Sequence, residues 1–322
     1  MPRVIVVAIA SLAALAASAI PAQAAEYPEK PVTFIVPFAA GSATDVLARV
    51  LGDSLNQDTK QRVLVDPRGG AGGNIGAQLA AKAQPDGYTV FITTNTTQAA
   101  NQHLYKQPGY DAVRDFAPVT GIAQGYQVMV VNPRVPAKTV SEFTAIARKS
   151  AGKLTYGEGS SSARVAVELY QQMTGTKLVH VPYKGNPLAI TDLIGGHIDM
   201  MIVDMPTGLP QVQGGKVKAL AVTSRTRSPQ APELPTMDEA GIKGYEMTYW
   251  FGAYVPAKTP AATVKRLNEL LVRAVNSESM KAHLQKSALI AFPTTPEQLA
   301  KFQAAETEKW GRIIKAAGIP PG

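Results

Sequence analysis

Residues 32–38, VTFIVPF, form a nearly unbroken apolar run. It stops at Gly41-Ser42-Ala43-Thr44-Asp45, where an amphipathic helical pattern, Ala43–Leu55, begins at once. A strand that is apolar without alternation has to be covered on both faces, which points to a parallel sheet between helices. The rhythm repeats. Arg62–Asp66 and Thr89–Thr94 read as strands, Gly73–Ala83 as a small-residue helix behind a glycine turn, and Gln98–Tyr105 as a short helix. A second series has strands at Val128–Val131, Leu154–Tyr156, Val179–Pro182, Asp199–Val203 and Ala219–Thr223, with helices at Val140–Lys149, Arg164–Met173 and Leu188–Ile194. Such alternation predicts an α/β fold.

Tyr245–Val255 then reads as a long aromatic strand. The helical stretches Ala261–Asn276, Met280–Ser287 and Pro296–Ala317 follow it with no sheet of their own. They are expected to return to the first α/β unit. The chain would then cross between units twice, near Ile122–Gln127 and Lys243–Thr248, and two extended crossovers make a hinge. This gives one lobe from residues 25–123 plus 244–322 and a second from 124–243.

The first residues stand apart. Arg3, the apolar or small run Val4–Ile20 and Ala22-Gln23-Ala24 have the layout of a secretory signal peptide cut after Ala24. The expected mature protein is exported and retains about 300 residues, enough for two domains. The formal charge of +8 is spread over scattered Lys and Arg without interleaved aromatics. That argues against nucleic acid and gives a mild field for small anions. With no cysteine and four dispersed histidines, His103, His180, His197 and His283, neither thiolate chemistry nor a metal site is expected, and no cofactor is implied.

Three turns carry the chemistry. In the first, Ser42 is a good N-cap, and Asp45 three residues later resembles a capping box with Asp in the Glu place. The turn reads either as a helix cap alone or as a carboxylate or phosphate cradle with the Ser42 and Thr44 hydroxyls added. The second, DPRGGAGGNIG at 66–76, misses the dinucleotide spacing, because Ile75 stands where the last glycine is needed. In the third, Gly159-Ser160-Ser161-Ser162-Ala163 lies between a strand and a helix. It reads as another anion cradle, or loosely as a nucleophile elbow centred on Ser161. A secreted serine hydrolase would combine Ser161 with Asp199 or Asp204 and with His283. Arg164 in a helix's first turn opposes the helix dipole, so it is either an exposed residue or a partner for an anion held there. Asn95, Thr96 and Asp204 each lie at the end of a strand, where open α/β sheets bind ligands.

Taken in order, YPEKPVTFIVPFAAGSATD, VDPRGGAGGNIGAQLAAKAQPDGYT, LTYGEGSSS, VPYKGNPLAITDLIGGHIDMM, LPTMDEAG, FGAYVPAKTP and WGRIIKAAGI resemble the periplasmic receptors of tripartite tricarboxylate transporters, the Bug proteins. The resemblance spans residues 27 to 318. It implies a two-lobed type II periplasmic-binding fold that closes around a small organic carboxylate and delivers it to membrane permease subunits, and a monomer is expected. It assigns ligand contacts to Phe38, Ala40, Ser42, Thr44 and Asp45 of the first lobe and to Ser160, Ser161 and Ser162 of the second, with Asn95, Thr96 and Asp204 as further cleft positions. Two departures bear on the ligand: Gly41-Ser42 replaces the family's Gly-Gly, and Arg164 stands near a place often held by His. Small dicarboxylates, citrate-like acids, aromatic acids and acidic amino acids all fit that pattern.

Overall fold

The computed structural model describes residues 27–150 and 152–322; the expected signal peptide lies outside the described residues. The first lobe opens with β1 (Val32–Val36), α1 (Ala43–Thr59), β2 (Val63–Pro67), α2 (Asn74–Ala81) and β3 (Thr89–Thr94). β1 lies parallel between β2 and β3. Val32, Phe34 and Val36 enter one core with Leu47, Leu51 and Leu55 of α1, while Ile35 enters another on the opposite face. The unalternating run is therefore covered on both sides, as its composition requires.

The region expected as a short helix at Gln98–Tyr105 is instead a π-helical turn, Thr96–Ala100, followed by α3 (Asn101–Leu104). The next strand, β4 (Phe116–Val131), is far longer than the expected Val128–Val131. Pro118, Gly121 and Gly125 hide it in the sequence. Register shifts between Pro118 and Thr120 and between Gly121 and Ala123 absorb the irregular residues.

The second lobe contains α4 (Val140–Lys149), β5 (Thr155–Glu158), α5 (Ser161–Thr174), β6 (Val179–Pro182), α6 (Asn186–Gly195), β7 (Met200–Asp204), α7 (Met205–Gln213) and β8 (Lys218–Val222). Alternate residues of β4 and β7 feed two cores: Met129, Val131, Met200 and Ile202 on one face, Val128, Val130, Met201 and Val203 on the other. The chain returns through β9 (Thr248–Pro256), α8 (Ala261–Val275), α9 (Glu278–Lys286), β10 (Ile290–Ala291) and α10 (Pro296–Ala316). α8 and α9 pack on the first lobe's core. α10 reaches both sides: Leu299 packs with Trp250 and Tyr254, while Trp310 and Ile314 join Val165 and Tyr245.

The sheet order is β2-β1-β3-β9-β4-β7-β5-β6. β4 pairs with β9 from Phe116 to Tyr126, then with β7 from Gln127 and with β8 from Val128. The first crossover is thus one strand changing partners. β9 starts at Thr248, opposite Tyr126, so the second crossover lies beside the first. Thr223 joins them. Its buried hydroxyl accepts from the Gln127 N–H at 2.8 Å and donates to the Met247 carbonyl at 2.7 Å. Its backbone N–H donates to the Gln127 carbonyl, and its carbonyl accepts from the Met247 N–H.

Thr223→Val keeps the shape but leaves the Gln127 N–H without that partner. Urea unfolding should show a loss of about 1–3 kcal/mol, the cost of an unmet buried donor; unchanged stability would mean that the hydroxyl does not tie the crossovers.

Candidate functional site

A cavity lies between the lobes, and the starts of four helices line it. Ser42 is the N-cap of α1, Ser160 that of α5 and Asp204 that of α7, while Asn186 is the first residue of α6. Each helix follows a strand of its lobe, so strand C-termini and helix N-termini meet at one edge, where the first N–H groups of each helix lack intrahelical partners.

In the first turn, Gly41 adopts φ +79°, and the Ser42 N–H donates to the Ala39 carbonyl at 3.1 Å. The Ser42 hydroxyl accepts from the Asp45 N–H at 3.3 Å. Asp45 does not complete the capping box, because the Ser42 N–H is already committed. Its carboxylate instead accepts from the Gly41 N–H at 2.9 Å and pairs with Arg49 at 3.0 Å. Asp45 therefore fixes the turn, while Phe38, Ser42, Ala43 and Thr44 line the cavity. Ala40 is exposed beside them.

In the second lobe the Ser160 hydroxyl accepts from the Ala163 N–H at 3.3 Å and lies 3.2 Å from that of Ser162. Thr96 Oγ1 reaches Ser162 Oγ across the lobes at 3.4 Å. Gly159 is required by close approach: a Cβ there would lie 2.1 Å from the Asn186 backbone nitrogen. Its N–H donates to Asn186 Oδ1 at 3.0 Å, and Asn186 Nδ2 donates to Asp204 Oδ2 at 2.5 Å. Asp204 Oδ1 accepts from the Thr207 N–H at 2.9 Å.

Among the described residues no Lys, Arg or His lines the cavity. Its ionisable groups are Asp204 and Tyr249, both buried. Burial pushes the Asp204 carboxyl up against the opposing pull of Thr207 and Asn186. Burial, then the charge of Asp204, pushes the Tyr249 phenol well up. The space is about 30 Å³. It admits a carboxylate group or a couple of waters as the lobes stand, so a longer acid requires them to part.

The lining also includes Thr94, Gln127, Gly159, Asn186, Tyr249 and Phe251, none of which the sequence singled out as a contact. Several predicted residues sit behind it. Ser161 is buried with its hydroxyl beside that of Tyr105 and against Gly72. Arg164, one turn into α5, acts on the phenols of Tyr105 and Tyr156 and makes no ion pair with the described residues. Asn95 is fully buried and its amide has no protein partner among them. The hydrolase trio is not assembled: Asp199 accepts from Thr155, Asp204 from Asn186 and Thr207, and His283 lines a different groove with Met205 and Lys286.

Residues 47–319 match the model of the tripartite tricarboxylate transporter family receptor. The chain belongs to that family. Rpa4515 of R. palustris, solved with adipate, is 34% identical with a TM-score of 0.89 over 92% of this chain and 100% of its own. The periplasmic binding protein BugD is 32% identical, TM-score 0.88, over 92% and 100%. MatC from Rhodopseudomonas palustris, with bound malate, is 27% identical, TM-score 0.85, over 89% and 100%. This receptor thus has the two-lobed periplasmic-binding fold that its sequence predicts.

The raised Asp204 pKa sets a sign. Between the ordinary value of 3.8 and the higher folded value, the native receptor binds more protons than the unfolded chain. The associated stability is fully present below 3.8 and is lost as pH rises through the folded value. Unfolding free energy measured against Asp204→Asn should therefore fall across that window as pH rises. A flat or rising difference contradicts the placement of Asp204 in a desolvating site.

Proposed function

We propose that this receptor captures a small organic carboxylate by closing its lobes and presents it to the membrane permease subunits of a tripartite transporter. The carrying observation is the convergence of four helix starts, with the hydroxyls of Ser42, Thr44, Ser160 and Ser162, on a cavity lined by no cation. Such a site holds an anion through hydrogen bonds and helix dipoles rather than an ion pair. The adipate and malate in Rpa4515 and MatC support the ligand class. The leader at 1–24 supports export to the periplasm. Residues 25–123 with 244–322, and 124–243, form the two moving bodies, hinged where Thr223 joins the crossovers. The receptor acts as a monomer and carries out no reaction on its ligand.

A thermal-shift screen of carboxylates identifies the ligand, because binding raises stability by RT ln(1 + [L]/Kd). Titration calorimetry of Ser42→Ala/Thr44→Val should then show affinity falling by about ten- to a hundredfold for each donor lost to a charged acceptor. Unchanged affinity would make the first turn a helix cap alone. Small-angle scattering should show the ligand lowering the radius of gyration, provided the free protein rests open. Robust ester hydrolysis abolished by Ser161→Ala would favour an enzyme instead.

A further inference from the structure

Asp204 is an acid in a cavity shaped for an acid. Its carboxylate accepts from the Thr207 N–H and Asn186 Nδ2, with the Thr207 hydroxyl and its own N–H also acting on it. It lines the cavity, and no cationic side chain there faces it. Tyr249, from β9, lines the same space, and its hydroxyl is buried without a protein partner among the described residues. Two polar groups at the β7 and β9 side of the cavity are thus left to a ligand, one of them an acceptor. On the other side the Ser42, Thr44, Ser160 and Ser162 hydroxyls and the helix N–H groups can donate.

A ligand carboxylate among those donors leaves its neighbouring group close to Asp204, because the space is small. A second carboxylate there would set two anions side by side in a desolvated site, where both cannot remain ionised. A hydroxyl or an ammonium would instead donate to the Asp204 carboxylate. A site built to receive a hydrogen bond rejects the analogue that lacks the donor, since its own buried group is then unmet.

We propose that Asp204 selects organic acids bearing a hydrogen-bond donor, a hydroxyl or an ammonium, beside the clamped carboxylate, and disfavours acids that place a second carboxylate there. This rests on the carboxylate-capture reading and adds the ligand's second group.

The test is calorimetry at neutral pH with ligands differing only in the donor: lactate against propionate, malate against succinate, and aspartate against succinate. In wild type the donor-bearing member of the tightest pair should bind about ten- to a hundredfold better. Asp204→Asn, which retains an oxygen to cap α7, should shrink that ratio to about threefold or less and strengthen succinate. Parent acids binding as well as their donor-bearing counterparts, or a ratio surviving Asp204→Asn, overturns the selection and leaves carboxylate capture standing. If no acid in the panel or in the thermal-shift screen binds, carboxylate capture falls and the selection with it. Circular dichroism reports whether the variant folds; if it does not, the wild-type ratios decide. Hydroxyl-bearing and ammonium-bearing arms separate the two donor classes.

Discussion

Every part of the cleft depends on the unpaired N–H groups at the starts of α1, α5, α6 and α7. A strand that runs into a helix through a short turn points those groups out of the sheet's edge. Four such junctions meeting face to face concentrate donors in one place. The capping side chains are shared between the helix and the cavity: Ser42 and Ser160 each satisfy one N–H of their own helix and still line the space. The glycines serve the same end. Gly159 lets its turn lie against the backbone of α6, which no side chain would allow.

The two lobes meet along one strand. β4 leaves β9 at Tyr126 and meets β7 at Gln127. Gln127 is at once a residue of the crossover, the register partner of Asp204 and part of the cavity wall. Thr223 binds that point to the second crossover, so the crossovers lie beside the cavity wall. The Thr96–Ser162 contact spans the cleft itself. α10 adds apolar contacts with both lobes, through Leu299 against Trp250 and through Trp310 against Val165 and Tyr245.

The electrostatics follow from this geometry. Among the described residues the cavity wall has no cation; what it presents are oriented helix dipoles, which are fixed in place and carry no formal charge that needs a buried counterion. Arg49, the nearest cation in the first turn, is held by Asp45. Asp204 is then the cavity's acidic side chain. Its cost of burial is offset by Asn186 and Thr207, and its sign acts on whatever shares the space.

Local chemistry was legible in the sequence. The apolar run of β1, the serine caps of α1 and α5, the alternation that makes the α/β fold and the ordered motifs of the family all lie within short segments, where neighbours along the chain decide the outcome. The prediction lost ground where distant segments decide. α7 was hidden because Pro206, Gly208 and Pro210 weaken a helical pattern. Pro206 sits harmlessly in its first turn, and Gly208 is demanded by contact with Val128 and Val203. β4 was shortened because its proline and glycines read as breaks until β9 pairs with them. Asp45 and Ser161 belong to turns that reach the cavity, but only packing could show that one faces Arg49 and the other Tyr105. Gln127, Asn186 and Tyr249 carry no motif; they enter the cavity because the crossovers, α6 and β9 come together there. The sequence by itself determined the units and their caps, since hydrogen bonds three or four residues apart are set by local order. Tertiary structure alone decided which caps face one another and which acid faces the cavity, since a side chain's surroundings are set by segments far away along the chain.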